Sequence, residues 1–237
     1  MSGQVTRDSP FGKALVKYAA RPDINKMLDV GTWTGQGTTE CLAYGAHLKQ
    51  LNSQLSIVSV EANSQLHKIA CQYYGANKPP FLHLICGTLT KDIMKPNDII
   101  KHPLFEKVKT HYELHYTKDV CHTINAPLID FQGAKVDMVV LDGGEFCGES
   151  DFNCCMTLCP KVIALDDINV IKNSNNYAWL MKNNKKWQLM DSGEDRNGWA
   201  IFERKRNFDL EDMVKMYNEK YGTETSKCIQ AENFRHQ

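Results

Sequence analysis

The sequence contains no run approaching the roughly 18 consecutive apolar residues that a membrane-spanning helix requires. That excludes a helical membrane protein. Residues 1–10 are polar and lack the apolar stretch of a secretory signal, so the mature chain is expected to start at or near Met1 and to work in solution in the cytoplasm. Net charge is missing too. With 28 Lys and Arg against 28 Asp and Glu, no basic stripe is left over for a phosphate backbone, and nucleic acid is not an expected partner. The short basic runs at 182–186 and 204–206 read as solvated edges. Internal repeats and low-complexity linkers are also lacking. Cysteine is not scarce, at nine residues, but paired C-x2-C hooks are, and an odd number scattered through core-like segments argues for a reducing compartment rather than a disulfide framework. Cys147, Cys154, Cys155 and Cys159 gather in sequence without the matching His pair of a zinc site, and read as buried thiols.

What is present is a chain of 237 residues, 42% hydrophobic, which suits one compact α/β domain over 1–237. Apolar runs of strand length recur at 26–30, 55–60, 81–86, 136–141 and 161–165. Helical stretches at 38–50, 64–74 and 149–158 separate them, the alternation of βαβ units around a parallel sheet covered on both faces. Beyond them the pattern predicts a helix over 174–183 and strands over 187–191 and 199–204, the last two joined as an antiparallel hairpin by the polar turn 193–198. An amphipathic stretch at 210–221 is expected to close one face, followed by a lightly packed tail at 223–237. The connection at about 88–135 is long enough to be an insertion with structure of its own. It carries Pro96, Pro103 and Pro127, a predicted helix over 97–108, and an aromatic run whose 112–116 part reads as a lid, as a contact between two copies of the chain, or as packing on the sheet edge.

A glycine-rich bend, Gly31-Thr32-Trp33-Thr34-Gly35-Gln36-Gly37-Thr38, follows the first strand directly and opens a helix. Glycine permits close approach and positive φ, and the helix start offers free N–H groups to an anion such as a carboxylate. The spacing is G-x-x-x-G-x-G, not the G-x-G-x-x-G that cradles a pyrophosphate, so a ligand without phosphates fits better. Glu61, followed by Ala62, ends the second strand, where a carboxylate can accept both hydroxyls of a ribose; Gly87 and Thr88 end the third, beside the expected place of a flat ring.

With these motifs the chain resembles the class I S-adenosylmethionine-dependent methyltransferases, whose fold is a Rossmann-like doubly wound three-layer sandwich with a seven-stranded, mostly parallel sheet and a C-terminal antiparallel hairpin. The bend is similar to that of the catechol O-methyltransferase-like group, and the fourth and fifth strand ends to those of the cephalosporin hydroxylase-like and macrolide-sugar O-methyltransferase groups. The resemblance implies that Gly31, Thr32, Trp33, Gly35, Gly37 and Thr38 hold the methionine part of the cofactor, Glu61 and Ala62 the ribose, and Gly87 and Thr88 the adenine, with Asp142 alongside.

The fourth strand ends in Asp142-Gly143-Gly144-Glu145 and the fifth in Asp166-Asp167. If these strands are neighbours, Asp142, Asp166 and Asp167 converge, and three carboxylates repel unless they are protonated or share a cation. Oxygen ligands of this kind suit Mg2+ or Mn2+, and the resemblance implies such an ion; the competing reading is that one aspartate caps the following helix. Glu145 stands three residues after Asp142, where the related groups carry a His or Lys, and it is the candidate general base, with a helix cap as the alternative. Asn169, Lys172 and Asn173 read as loop residues near an acceptor. His111, His115 and His122 read as surface or core histidines. The expectation is O-methylation of a small-molecule or carbohydrate acceptor. A NAD-dependent oxidoreductase and a non-catalytic S-adenosylmethionine-binding module are the competing readings.

Overall fold

The computed structural model describes residues 5–49, 54–131 and 133–205. The stretches expected at 210–221 and 223–237 lie outside the described residues. In chain order the elements are α1 (Pro10–Ala19), β1 (Lys26–Val30), α2 (Thr38–His47), β2 (Ser56–Glu61), α3 (Ser64–Tyr74), β3 (Leu82–Cys86), α4 (Pro96–Lys101), α5 (Phe105–Val108), α6 (Tyr112–Asn125), β4 (Met138–Leu141), α7 (Gly148–Met156), β5 (Val162–Asp166), α8 (Ile171–Lys182), β6 (Trp187–Gly193) and β7 (Trp199–Arg204). The seven strands form one sheet in the order β3-β2-β1-β4-β5-β7-β6. All pairs are parallel except β5 with β7 and β6 with β7. This is the expected architecture, hairpin included.

The central strands β4 and β5 are apolar along most of their length because helices cover both faces, so each of their side chains meets a core whichever way it points. In β4 and β5, Met138, Val140, Val162 and Ala164 join Phe11, Leu15, Cys41 and Leu42 of α1 and α2 on one face. The alternate residues Val139, Leu141, Ile163 and Leu165 join Phe152 and Cys155 of α7 and Leu180 of α8 on the other. Among the described residues eight cysteines, Cys147, Cys154, Cys155 and Cys159 included, are free thiols.

Several helices depart from the sequence reading, and one of them is α6, which runs through 112–125 where no helix was expected. α1 was not expected, although its start carries a conventional signal: Ser9 accepts a hydrogen bond from the Gly12 N–H at 3.1 Å and Pro10 fills the first turn, where a missing N–H costs nothing. The helix expected over 97–108 is broken into α4 and α5, because Pro103 forces the preceding His102 into extended backbone. α8 starts three residues earlier than expected, at Ile171. That shift takes Lys172 and Asn173 out of a surface loop and buries them in the first helical turn.

A third cluster gives the insertion its own small core. Ile99 and Val108, with Ile93, Met94, Leu104, Phe105, Tyr112 and Tyr116 against them, pack on Phe146 after β4 and on Val170 and Ile171 at the start of α8. Among the described residues no helix is long and apolar enough to cross a membrane.

Candidate active site

Strand register alone assembles the candidate site. Val30 of β1 pairs with Val60 of β2 and with Leu141 of β4, and Leu141 pairs with Leu165 of β5. Gly31, Glu61, Asp142 and Asp166, each the next residue along, therefore emerge side by side at the C-terminal edge. The sheet order reverses between β1 and β4, and in open α/β sheets the crevice at such a switch point is where ligands bind.

The bend after β1 is held by close backbone contacts. Gly31 has φ of +102°, and a Cβ there would stand 2.1 Å from the carbonyl oxygen of Asp142. Gly35 has φ of +85°, and its carbonyl accepts a 2.9 Å hydrogen bond from the Tyr74 hydroxyl. Trp33 takes φ of +50° and is 38% exposed, so its indole stands at the surface of the bend. Gly37 precedes α2, which has no side-chain cap, and a Cβ there would meet nothing within 4 Å. The helix start is thus open to an anion.

Two of the expected ligand residues turn their side chains inward. Thr38 donates to Asp29 at 2.9 Å, and Thr32 shares a 2.6 Å hydrogen bond with Ser59. Both belong to a buried network around Asp29, which also accepts from Thr39 at 2.5 Å and from Ser59 at 2.9 Å. Burial pushes the Asp29 carboxyl up to about 6 and the three hydroxyls pull against it. Thr32 and Thr38 can therefore serve a ligand only through their backbone. Asp29, overlooked in the sequence because it sits inside an apolar strand, is what fixes the bend to β2 and α2.

Glu61 is buried, and its two carboxylate oxygens accept from the backbone N–H groups of Trp33 at 2.7 Å and Asn63 at 2.9 Å. Burial raises its pKa and those two bonds oppose the rise. It thus ties the glycine bend to the β2 edge, and each oxygen keeps lone pairs for a further donor. Ala62 follows, half-buried. At the end of β3, the Thr88 hydroxyl donates to the Thr90 carbonyl at 2.8 Å. A Cβ on Gly87 would stand 2.4 Å from Ile129, so this glycine accommodates the returning insertion.

The acids of β4 and β5 do converge. Asp142, Asp166 and Asp167 each offer an oxygen, all within 4.8 Å of one another. The sequence reading missed what lies among them. The Lys172 ammonium stands 2.9 Å from Asp142 Oδ1 and 2.6 Å from Asp167 Oδ2, and Arg196 Nη1 stands 3.0 Å from Asp166 Oδ2. Neither aspartate caps α8: Asp167 has φ of +57° and accepts from the Asn197 side chain at 2.9 Å. Burial, with Asp142 beside it, raises the Asp166 carboxyl; burial acts on Asp167 too, but Lys172, Asn197 and Arg196 overcome it and hold that carboxyl low. Burial likewise opposes the Lys172 charge, and Asp142, Asp167, Asp166 and Glu145 together more than restore it. Asn173 staples the two strand ends, donating to Leu141 O at 3.1 Å and Asp166 O at 2.7 Å.

Glu145 faces the same cluster. Its carboxylate accepts weakly, at 3.4 Å, from the Lys172 N–H in the first turn of α8 rather than from α7. Burial pushes it up to about 7, against the pull of Lys172.

The insertion fastens to three of the loops at this edge. Asp119 of α6 accepts from the Phe146 N–H at 2.9 Å, Lys107 donates to Asn169 O at 2.8 Å, and His122 hydrogen-bonds Asn63 at 3.2 Å. Tyr112 and Tyr116 meet the Phe146 ring edge-on at 5.9 and 5.8 Å. Lys91 closes the C-terminal end of α6 by donating to the carbonyls of Thr123, Ile124 and Ala126. His111 and His115 stack on the exposed side of the helix.

Solved structures share this fold. An O-methyltransferase from Bacillus cereus in complex with SAH superposes with a TM-score of 0.53 over 83% of this chain and 82% of its own, at 15% identity. The fold is that of the class I methyltransferases. Cofactor-bound Rv0187 from MTB matches at a TM-score of 0.55 and 14% identity, over 85% of this chain and 83% of its own. An SAH-bound methyltransferase from Podospora anserina matches at 0.51 and 9%, over 82% and 77%. No protein-family model matches the sequence, and no curated protein matches it.

Beneath this edge of the sheet, Asp151 of α7 is buried facing Gly143. Burial, and then neighbouring Asp119, push its carboxyl up to about 7. A raised carboxyl pKa means the fold favours the protonated form. The stability this contributes is complete below the unfolded value near 4 and is lost as pH rises through about 7. Asp151→Asn is therefore expected to match wild type near pH 4 and to exceed it at pH 8 by on the order of 4 kcal/mol. Chemical denaturation at the two pH values measures this, and an equal difference at both would show that the carboxyl is not the cause.

Proposed function

We propose that the protein transfers the methyl group of S-adenosylmethionine to a hydroxyl oxygen of a small acceptor. The observation that carries this reading is the register-fixed edge at which an uncapped helix start, the Glu61 carboxylate and the Asp142–Glu145 strand end stand together. The α2 N-terminus suits the cofactor carboxylate and Glu61 the ribose hydroxyls. The G-x-x-x-G-x-G bend, narrowed by Tyr74 and Asp142, gives a pyrophosphate no cradle, which weighs against NAD.

When bound, the cofactor supplies a methyl carbon on a sulfonium, which becomes a neutral thioether as the carbon–sulfur bond breaks and the carbon–oxygen bond forms. The chain's own part is to orient the acceptor and take its proton. Glu145, held near neutral pKa, accepts the proton from the acceptor hydroxyl as its oxygen attacks. Positioning supplies most of the rate, with the chain acting as one domain whose insertion at 88–135 encloses the acceptor side. Its tyrosines Tyr112 and Tyr116, packed on Phe146 after β4, suit a compact acceptor; a carbohydrate is the preferred one, on the likeness of the strand-end acids to those of sugar methyltransferases.

Calorimetric titration with S-adenosylmethionine and with NAD tests the cofactor, and transfer of labelled methyl to a panel of hydroxylated acceptors tests the reaction. Binding of NAD alone would turn the assignment to an oxidoreductase, and S-adenosylmethionine binding without turnover on any acceptor to a binding module. Glu61→Ala is expected to weaken cofactor binding by about ten- to a hundredfold, the worth of a charged hydrogen bond, without unfolding the chain. Undiminished affinity would remove Glu61 from the cofactor site.

A further inference from the structure

The three converging carboxylates have the composition of a divalent-cation site, and the fold's metal-assisted relatives make that the natural expectation. The side chains around them do not fit it. A metal bound by Asp142 and Asp167 would need the space between their facing oxygens, and the Lys172 ammonium stands there, 2.9 and 2.6 Å from the two. Asp166, the third, is ion-paired with Arg196 at 3.0 Å, without hydrogen-bond geometry.

Lys172 is not a surface side chain that has strayed inward. It belongs to the first turn of α8, its side chain is 9% exposed, and its neighbour Asn173 is bonded to the carbonyls of Leu141 and Asp166. Its stem runs beside Gly148. A Cβ at that glycine would stand 2.0 Å from the Lys172 carbonyl oxygen and 3.3 Å from its Cγ, so the absence of a side chain at 148 is what lets the lysine enter. Backbone, stem and ammonium are each fixed by a separate contact. A divalent ion would have to displace the ammonium and leave it buried against a second positive charge.

We infer that Lys172 is the resident cation of this acid cluster and that the protein takes no divalent metal there. The inference rests on the proposed reaction for its catalytic meaning: the positive charge beside the acceptor oxygen is the fixed ammonium, with two of its N–H groups spent on Asp142 and Asp167 and the third left to the acceptor. Methyl transfer then proceeds unchanged in a chelator.

The test is Mn2+ binding by the full chain, stripped with EDTA and followed by the electron paramagnetic resonance signal of free Mn2+. Wild type is expected to take up no stoichiometric Mn2+. Lys172→Met keeps much of the stem and removes the charge, and it is expected to bind one Mn2+ per chain at least about a hundredfold more tightly, since a like charge has left the site. Stoichiometric Mn2+ uptake by wild type overturns the inference, as does a Lys172→Met protein that melts cooperatively but binds no better. If the methionine variant does not fold, the wild-type titration decides alone. S-adenosylmethionine titration of wild type in EDTA separates the two readings. Failure to bind the cofactor sinks the proposed reaction and leaves the Mn2+ result standing, whereas cofactor binding with turnover that appears only on adding Mn2+ sinks the inference and leaves the reaction.

Discussion

Gly31→Ala is expected to abolish S-adenosylmethionine binding and to destabilise the fold by about 3 kcal/mol or more, the scale of overpacking added to backbone strain. Two effects act together. At φ of +102° an alanine is strained before any contact is counted. Its Cβ would also stand 2.1 Å from the Asp142 carbonyl, an atom of the adjacent strand rather than the end of a movable side chain. To relieve it, the ends of β1 and β4 must part. The comparison that isolates this cause is Gly37→Ala in the same bend, where φ is −105° and the new methyl meets nothing within 4 Å. Thermal denaturation should show that variant clearly closer to wild type than Gly31→Ala, because its new methyl meets no neighbouring strand. Equal losses at 31 and 37 would mean that general loss of flexibility, not the contact with β4, is responsible.

Glu145→Gln is expected to lower kcat by about 10²- to 10⁴-fold, the usual worth of a positioned base, and to leave cofactor affinity within about twofold, since Gln fills the same space. The pH profile carries a separate signature. Burial lifts the Glu145 carboxyl to about 7, and a base works only when deprotonated, so the wild-type rate should rise with pH up to about 7 and level off above it. The glutamine variant should lose that rise. A variant that keeps both the wild-type kcat and the profile would remove Glu145 from the reaction and leave it as a contact to the first turn of α8.

Much of the fold was readable because the buried parallel strands leave little room for ambiguity. β1 and β7 begin and end where the apolar runs do, and α3 is bounded by a side-chain cap at Asn63 and by Gly75. The start of α8 was not readable, because Val170 offers no side-chain cap and Lys172, Asn173, Asn175 and Asn176 have the composition of a loop. Tertiary contacts with the β4 and β5 ends impose the helix on them. The convergence of the three aspartates followed from strand adjacency, a topological rule. Their cations did not: Lys172 lies 30 residues from Asp142, and Arg196 sits in the hairpin turn 30 residues from Asp166. No local pattern announces such pairs. The inward turn of Thr32 and Thr38 was hidden for a related reason, since Asp29, which claims Thr38 directly and Thr32 through Ser59, looks from the sequence like an intruder in an apolar strand.

The contact between Gly31 and the Asp142 carbonyl also bears on how this protein can change over generations. The same peptide unit that presents a carboxylate to the acid cluster is the wall against which the neighbouring bend is shaped. Substitutions at the two positions should therefore be epistatic, their combined cost differing from the sum of the separate ones. A lineage exploring new acceptors through the β4 end would carry the bend of β1 along with it.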